Sequence, residues 1–415
     1  MAETPGNLWF PYTPMRGMPP PLEAVGTEGA RIRLADGREL VDGIASWWTA
    51  CHGYNHPHIL DAMEAQLRRM PHVMFGGMVH EPAVRLARRL AALLGSGLDH
   101  VFFSDSGSVS VEIALKMAIQ FWRNRGIEGR GRFVCFRGAY HGDTLGTMAV
   151  CDPEDGMHRL LGGYVPPQIV LDLPHGRRAA AAFEDAMARR ASEIAAVVVE
   201  PLIQAAGGMR FHPPETLAAI AGACRRHDLL LVLDEVATGF GRTGTMFAFE
   251  QAGIAPDIVC LSKALTGGTT GLAATVANRL VFSAFDSEDP KRALMHGPTF
   301  MANPLGCAAA NASLDLFERE PRLEQARRIE SRLRDTLEPC RSMPRVVDVR
   351  VLGAVGVVEL DRIDDLAGMR MRFVEEGVWI RPLGDAVYLM PALTISPDEL
   401  DLLTGAIRRV VGALN

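Results

Sequence analysis

From about residue 100 onward, short apolar runs alternate with segments of helical periodicity. HVFFS, RFVCF, AAVVVE, LLLVLDE and DIVCLSK are the apolar runs, and helical patterns such as PETLAAIAGACRRH lie between some of them. Such alternation predicts an α/β domain with a mostly parallel sheet. Ahead of it, ARIRLADGRELVD alternates around an Asp-Gly turn and predicts a hairpin. Two helical patterns follow, the first with Leu60, Met63, Leu67 and Met70 at three- and four-residue spacing. Near residue 302 the character changes. ANPLGCAAANASLDLFERE and RLEQARRIESRLRDTL read as long helices leading into strands around VVDVRVLGAVGVVEL and VWIRPL. These predict a smaller α+β unit completed by the N-terminal hairpin. The expected division is 1–46 and 316–415 for the small unit, with 47–315 as the large domain.

Composition narrows the class. The chain has 415 residues, 48% hydrophobic and 22% charged, which is ordinary for a globular protein with a large core and a second unit. A net charge of -6 argues against a general nucleic-acid or anionic-membrane surface. No apolar run approaches the roughly 20 residues of a membrane span. MAETPGNLWFPYTPM has neither a basic start nor an apolar stretch, so no secretory signal is expected. Seven scattered cysteines without a C-x-x-C pair suit reduced thiols in a cytoplasm better than a disulfide frame or a zinc site. No H-E-x-x-H occurs, and no metal is expected.

Lysine is scarce: Lys116, Lys263 and Lys291 stand against forty arginines. Lys263 follows an inner-strand pattern directly. Open α/β sheets bind ligands at the carboxyl ends of their strands, and LLLVLDE brings Asp234 to the same edge. HVFFSDSGSVSVEIALKMA runs from a strand through Ser-Gly-Ser into a helix. Neighbouring strands lie about 4.8 Å apart, so strand-end residues one or two strands apart can bracket one aromatic ring. Pyridoxal phosphate needs that arrangement: an amine for its aldehyde, an anion for its ring nitrogen and backbone donors for its phosphate. The helix start after Gly107 and Ser108 offers unpaired N–H groups and a favourable dipole. Each piece alone has a plainer reading, as a solvated strand end, a metal-binding acid or a helix cap.

Two rival readings are excluded by inspection or weakened. A P-loop needs a lysine after glycine, and none of the three lysines has one. GFGRTG (Gly239 to Gly244) matches a dinucleotide fingerprint literally, but Val-Ala-Thr separates it from the strand end and no clear helix pattern follows.

LLLVLDEVATGFGRTG followed by DIVCLSKALTGG resembles the class III, or ω-, pyridoxal-phosphate aminotransferases of fold type I, and the resemblance covers essentially the whole chain. It implies a large domain with a mostly parallel seven-stranded sheet and a smaller α+β domain. WFPYTPM, SWWTACHGYNHP, HVMFGG, FSDSGSVSVE, FRGAYHGDTLG, HGPTFMANPLGCAAANASL and GVWIRPLG resemble the members that act in biotin biosynthesis, which implies S-adenosyl-L-methionine as amino donor and 8-amino-7-oxononanoate as acceptor. The resemblance further implies that Lys263 forms the Schiff base and that Asp234 pairs with the pyridine nitrogen. Gly107 and Ser108 would hold the phosphate, with Pro298 and Thr299 supplied by the partner in a homodimer. Tyr140 would stack on the ring or line the substrate side. Tyr12, Trp47 and Gly297 would contact substrate, Arg381 would clamp a carboxylate, and Arg242 is a weaker substrate-side candidate. Lysine, diamine and ω-amino-acid donors stay open, since no residue decides between them by physical argument.

Overall fold

The computed structural model describes residues 7–154, 159–161 and 163–414. Met1 to Gly6 of the proline-rich opening therefore lie outside the described residues. The chain divides into two compact units, Met1–His56 with Arg327–Asn415, and Pro57–Ala326.

The larger unit is built on a seven-stranded sheet. Its spatial order is Leu98–Ser104, Ala273–Asn278, Ile258–Leu261, Leu230–Asp234, Ile194–Val199, Arg132–Phe136, Ile169–Leu171. Neighbours from Ile258–Leu261 to Ile169–Leu171 pair in parallel, and Ala273–Asn278 runs antiparallel to both of its neighbours. Every residue of Ile194–Val199, Leu230–Asp234 and Ile258–Leu261 is buried. Strands covered on both faces read as continuous apolar runs, which is why these segments stand out in the sequence. The helix Gly107–Asn124 covers one face, burying Ile113, Leu115, Phe121 and Trp122 in the same core as Val198, Val232 and Cys260. Trp122 Nε1 donates to the Ala195 carbonyl at 2.8 Å, so its one polar atom is satisfied inside that core.

The helix Pro304–Arg319 belongs to this unit. Ala309, Ala312 and Leu316 pack on Ile59 of the helix Pro57–Arg69, and His58 Nε2 lies 2.9 Å from Asp315 Oδ2. The second break falls inside the helix Arg322–Leu337.

The smaller unit holds two sheets. Ala24–Glu28, Arg31–Leu34, Glu39–Asp42 and Val378–Trp379 form one, and Val346–Leu352, Val355–Leu360 and Ala386–Leu389 the other. The expected hairpin is Arg31–Leu34 with Glu39–Asp42, turning at Gly37 with φ 88°. Val378 and Trp379 pair in parallel with Val41 and Asp42, so the C-terminal segment extends the N-terminal sheet. Residues 47–56 stay with that hairpin, since Gly29 and Tyr54 exchange backbone hydrogen bonds of 3.3 and 2.7 Å.

Candidate active site

Lys263 stands two residues beyond the strand Ile258–Leu261 and opens a short 3₁₀ turn, Lys263–Thr266. Its φ is +46°, a region that lysine seldom adopts. The turn closes on Gly267 at φ 63° and continues through Gly268 at φ 78°, so the glycine pair serves the reversal. Ser262 Oγ donates to the Leu272 carbonyl at 2.9 Å and fixes the approach to the lysine. Burial pushes the Lys263 amine down to about 8, while the charges of Asp234 and Glu200 oppose the fall.

Asp234 ends the adjacent strand in register with Cys260. It is 5% exposed; Oδ1 accepts the Val236 N–H at 3.1 Å and Oδ2 lies 2.8 Å from His141 Nδ1. Burial alone would depress His141, but the hydrogen bond and charge of Asp234, with the field of Glu200, hold it above its ordinary range. His141 Nε2 is buried without a partner among the described residues.

Glu200, just past the strand Ile194–Val199, is the second buried carboxylate. Its oxygens accept the N–H groups of Tyr140 at 3.1 Å and Ala205 at 2.9 Å. Burial pushes it up to about 7, with His141 opposing. Tyr140 donates its hydroxyl to Asp143 Oδ1 at 2.9 Å.

The helix Gly107–Asn124 begins between these groups. Ser106 is its cap, accepting the Val109 N–H at 3.3 Å. Ser108 is not the cap; its Oγ accepts the Asp143 N–H at 3.1 Å. The N–H groups of Gly107 and Ser108 have no acceptor among the described residues. A Cβ on Gly107 would sit 2.8 Å from Val236 Cγ1, and one on Gly142, at φ 127°, 2.2 Å from Ser108 Oγ. Helix start, Asp234 loop and Tyr140 loop thus meet at distances that only glycine permits.

The remaining candidates of the larger unit sit on two further segments. Gly297 and Thr299 are exposed and Pro298 is partly so, in an irregular stretch tied by Lys116 Nζ to His296 Nδ1 at 3.0 Å and by His80 Nε2 to the Ala302 carbonyl at 2.8 Å. Arg242 is buried at 1% exposure in the turns that follow Asp234.

In the smaller unit, Arg381 holds its guanidinium carbon 5.3 Å from the centre of the Trp47 ring. Burial lowers the Arg381 pKa, with Tyr388 opposing. Arg370 is lowered by burial and by the charge of Arg381, and its Nε is buried without a partner among the described residues. Paired guanidinium fields of this kind favour an anion. Trp47 sits in an unusual turn: Ala45, Ser46, Trp47 and Trp48 all have positive φ, from 46° to 74°. Left-handed helical geometry costs roughly 1–2 kcal/mol per L-residue, so four in a row need external support. Tyr12 is 54% exposed at φ 50°.

His141, Glu200, Ser106 and Asp42 were not singled out by sequence reasoning. Glu200 carries the same signal as Asp234, an acid closing an apolar run, and His141 adjoins a residue that was named.

A lysine of lowered pKa, a buried carboxylate one strand away and a free helix start fit pyridoxal phosphate: Lys263 would hold its aldehyde carbon, Asp234 its ring nitrogen, and Gly107 and Ser108 its phosphate. Fold and site therefore define a pyridoxal-phosphate-dependent transferase. The family model for class-III aminotransferases matches residues 12–411, and the chain belongs to that family. It is 46% identical to an adenosylmethionine-8-amino-7-oxononanoate aminotransferase of Mycobacterium leprae, over 98% of this chain and 95% of the relative. The equally named protein of Corynebacterium glutamicum is 43% identical over 98% and 96%. Among solved structures, the enzyme of that name from Methanocaldococcus jannaschii superposes with a TM-score of 0.93 at 31% identity, covering 98% and 96%. An amine transaminase from an uncultivated Pseudomonas species, in a PLP-bound form, gives 0.92 at 31% identity over 99% of each chain. No helix among the described residues is long and apolar enough to cross a membrane.

Proposed function

We propose that this aminotransferase carries the amino group of S-adenosyl-L-methionine to the C7 ketone of 8-amino-7-oxononanoate, giving 7,8-diaminononanoate for biotin biosynthesis, as a cytoplasmic homodimer. The observation that carries the reading is the 46% identity, across nearly the full length of both chains, to a relative named for that reaction.

Bound pyridoxal phosphate supplies an aldehyde that links to amines and a ring that accepts electrons. Lys263 would hold the aldehyde carbon of the cofactor, and its free Nζ would be the base that takes the proton from the substrate's amine-bearing carbon and the acid that returns it. That role needs an amine able to lose its proton near neutrality, which a pKa of about 8 allows and an arginine would not. Asp234 would supply the anion that favours a protonated ring nitrogen, and His141 orients Asp234 through the 2.8 Å contact. The Gly107 and Ser108 N–H groups bind phosphate, joined by the Pro298–Thr299 segment of a second copy. Tyr140 lines the ring, Arg381 takes the acceptor's carboxylate, and Tyr12, Trp47 and Gly297 shape the substrate side.

The test is a coupled assay with S-adenosyl-L-methionine and 8-amino-7-oxononanoate, following 7,8-diaminononanoate by mass. Turnover confirms the reading. A second reading, an ω-transaminase of wider scope, is favoured by the TM-score of 0.92 to an amine transaminase. It would be supported by turnover of lysine, diamines or ω-amino acids with no conversion of 8-amino-7-oxononanoate.

A further inference from the structure

The left-handed turn Ala45–Trp48 contains no glycine, yet it keeps helical hydrogen bonds: Trp48 N–H to the Ile44 carbonyl at 2.7 Å and Thr49 N–H to the Ala45 carbonyl at 2.9 Å. A buried carboxylate supports its start, and Thr49 Oγ1 donates to the Ser46 carbonyl at 2.9 Å at its end. Asp42, 1% exposed, accepts the Ile44 N–H on Oδ1 and the Ser46 N–H on Oδ2, each at 2.8 Å. The Tyr54 hydroxyl donates to the same Oδ2 at 2.6 Å and lies 2.8 Å from Ser46 Oγ. Tyr54 is itself fixed by its backbone bonds to Gly29.

Asp42 also pairs with Trp379, and the Gly43 N–H donates to the Trp379 carbonyl at 3.0 Å, two residues ahead of Arg381. Both partners of the Trp47–Arg381 contact are thus tied to the chain at Asp42: its carboxylate shapes the turn that carries Trp47, and its neighbours Val41 and Gly43 donate to the Gly377 and Trp379 carbonyls of the strand that leads to Arg381. A ring against one face of a guanidinium leaves the edge N–H groups for a carboxylate.

We propose that Asp42, clamped by Tyr54, is a positioning residue for substrate recognition, holding the left-handed turn so that Trp47 orients Arg381 toward a carboxylate-bearing substrate. This rests on the reading of Arg381 given above.

The experiment compares wild type with Asp42→Asn, Tyr54→Phe and Arg381→Gln. The measured quantities are kcat and KM for 8-amino-7-oxononanoate and for an amino-ketone lacking its carboxylate, together with the absorbance of the cofactor on Lys263. Asp42→Asn and Tyr54→Phe are expected to raise KM for the carboxylate substrate about tenfold or more. They should leave kcat, the cofactor absorbance and the values for the analogue near wild type. Adding Ser46→Gly to Asp42→Asn should recover part of the KM, because glycine adopts positive φ without the clamp. If Arg381→Gln raises KM while neither clamp variant does, the positioning role is overturned and the substrate reading stands. If Arg381→Gln has no effect on KM, the substrate reading itself fails. Should Asp42→Asn not fold, Tyr54→Phe decides between the same outcomes.

Discussion

Asp234 Oδ2 and His141 Nδ1 meet at 2.8 Å with both side chains buried. The contact ties the strand-end carboxylate to a ring whose protonated form its own charge favours. Asparagine at 234 keeps the shape and removes the charge that favours a protonated ring nitrogen. Asp234→Asn is expected to bind cofactor and to lose about a hundredfold or more in kcat, roughly 2.7 kcal/mol of barrier. Steady-state rates beside cofactor titration check this; near-wild-type turnover in that variant would remove Asp234 from its role.

The Lys263 amine, pushed down to about 8 by burial, sets a pH dependence for cofactor capture by the apo-protein. Below that value the amine carries its proton and cannot attack; above it the amine is free. The capture rate should rise through about pH 8 and level off beyond it, whereas an ordinary lysine would keep gaining toward 10.5. The same shift has a stability consequence of defined sign. Between about 8 and 10.5 the unfolded chain holds a proton that the folded chain has released, so this group makes the apo-protein more stable as pH rises across that window. Stopped-flow capture gives the answer: a rate that is flat from about pH 7 to about pH 9 is incompatible with the lowered amine.

Gly107 lets the helix start approach Val236 closely. Gly107→Ala places a methyl 2.8 Å from Val236 Cγ1 and shifts the N–H groups assigned to phosphate. A roughly tenfold weaker cofactor affinity is expected in a folded protein, partly restored by adding Val236→Ala. Fluorescence titration of apo-protein measures it. Unchanged affinity would mean that the phosphate is held elsewhere.

Much of this was legible because burial on both sheet faces leaves unbroken apolar runs. The polar residues that follow them, Asp234 and Lys263, then mark the candidate ligand edge. Two strands of the seven-stranded sheet escaped. Ile169–Leu171 has three residues, and Ala273–Asn278 is rich in alanine, which favours strands little. The plainer reading of Ser108 as a helix cap does not hold: Ser106 caps the helix by accepting the Val109 N–H, and Ser108 Oγ accepts the Asp143 N–H instead. The left-handed turn was not legible at all. Ser-Trp-Trp has no local preference for positive φ, and its support comes from Asp42 and from Tyr54, twelve residues beyond Asp42.

The central claim is that Lys263 carries the cofactor. Borohydride reduction of the cofactor-loaded protein, followed by peptide mapping, tests it most directly. The label is expected on the peptide containing Lys263 and to vanish in Lys263→Arg; recovery on Lys116 or Lys291 instead would contradict the account.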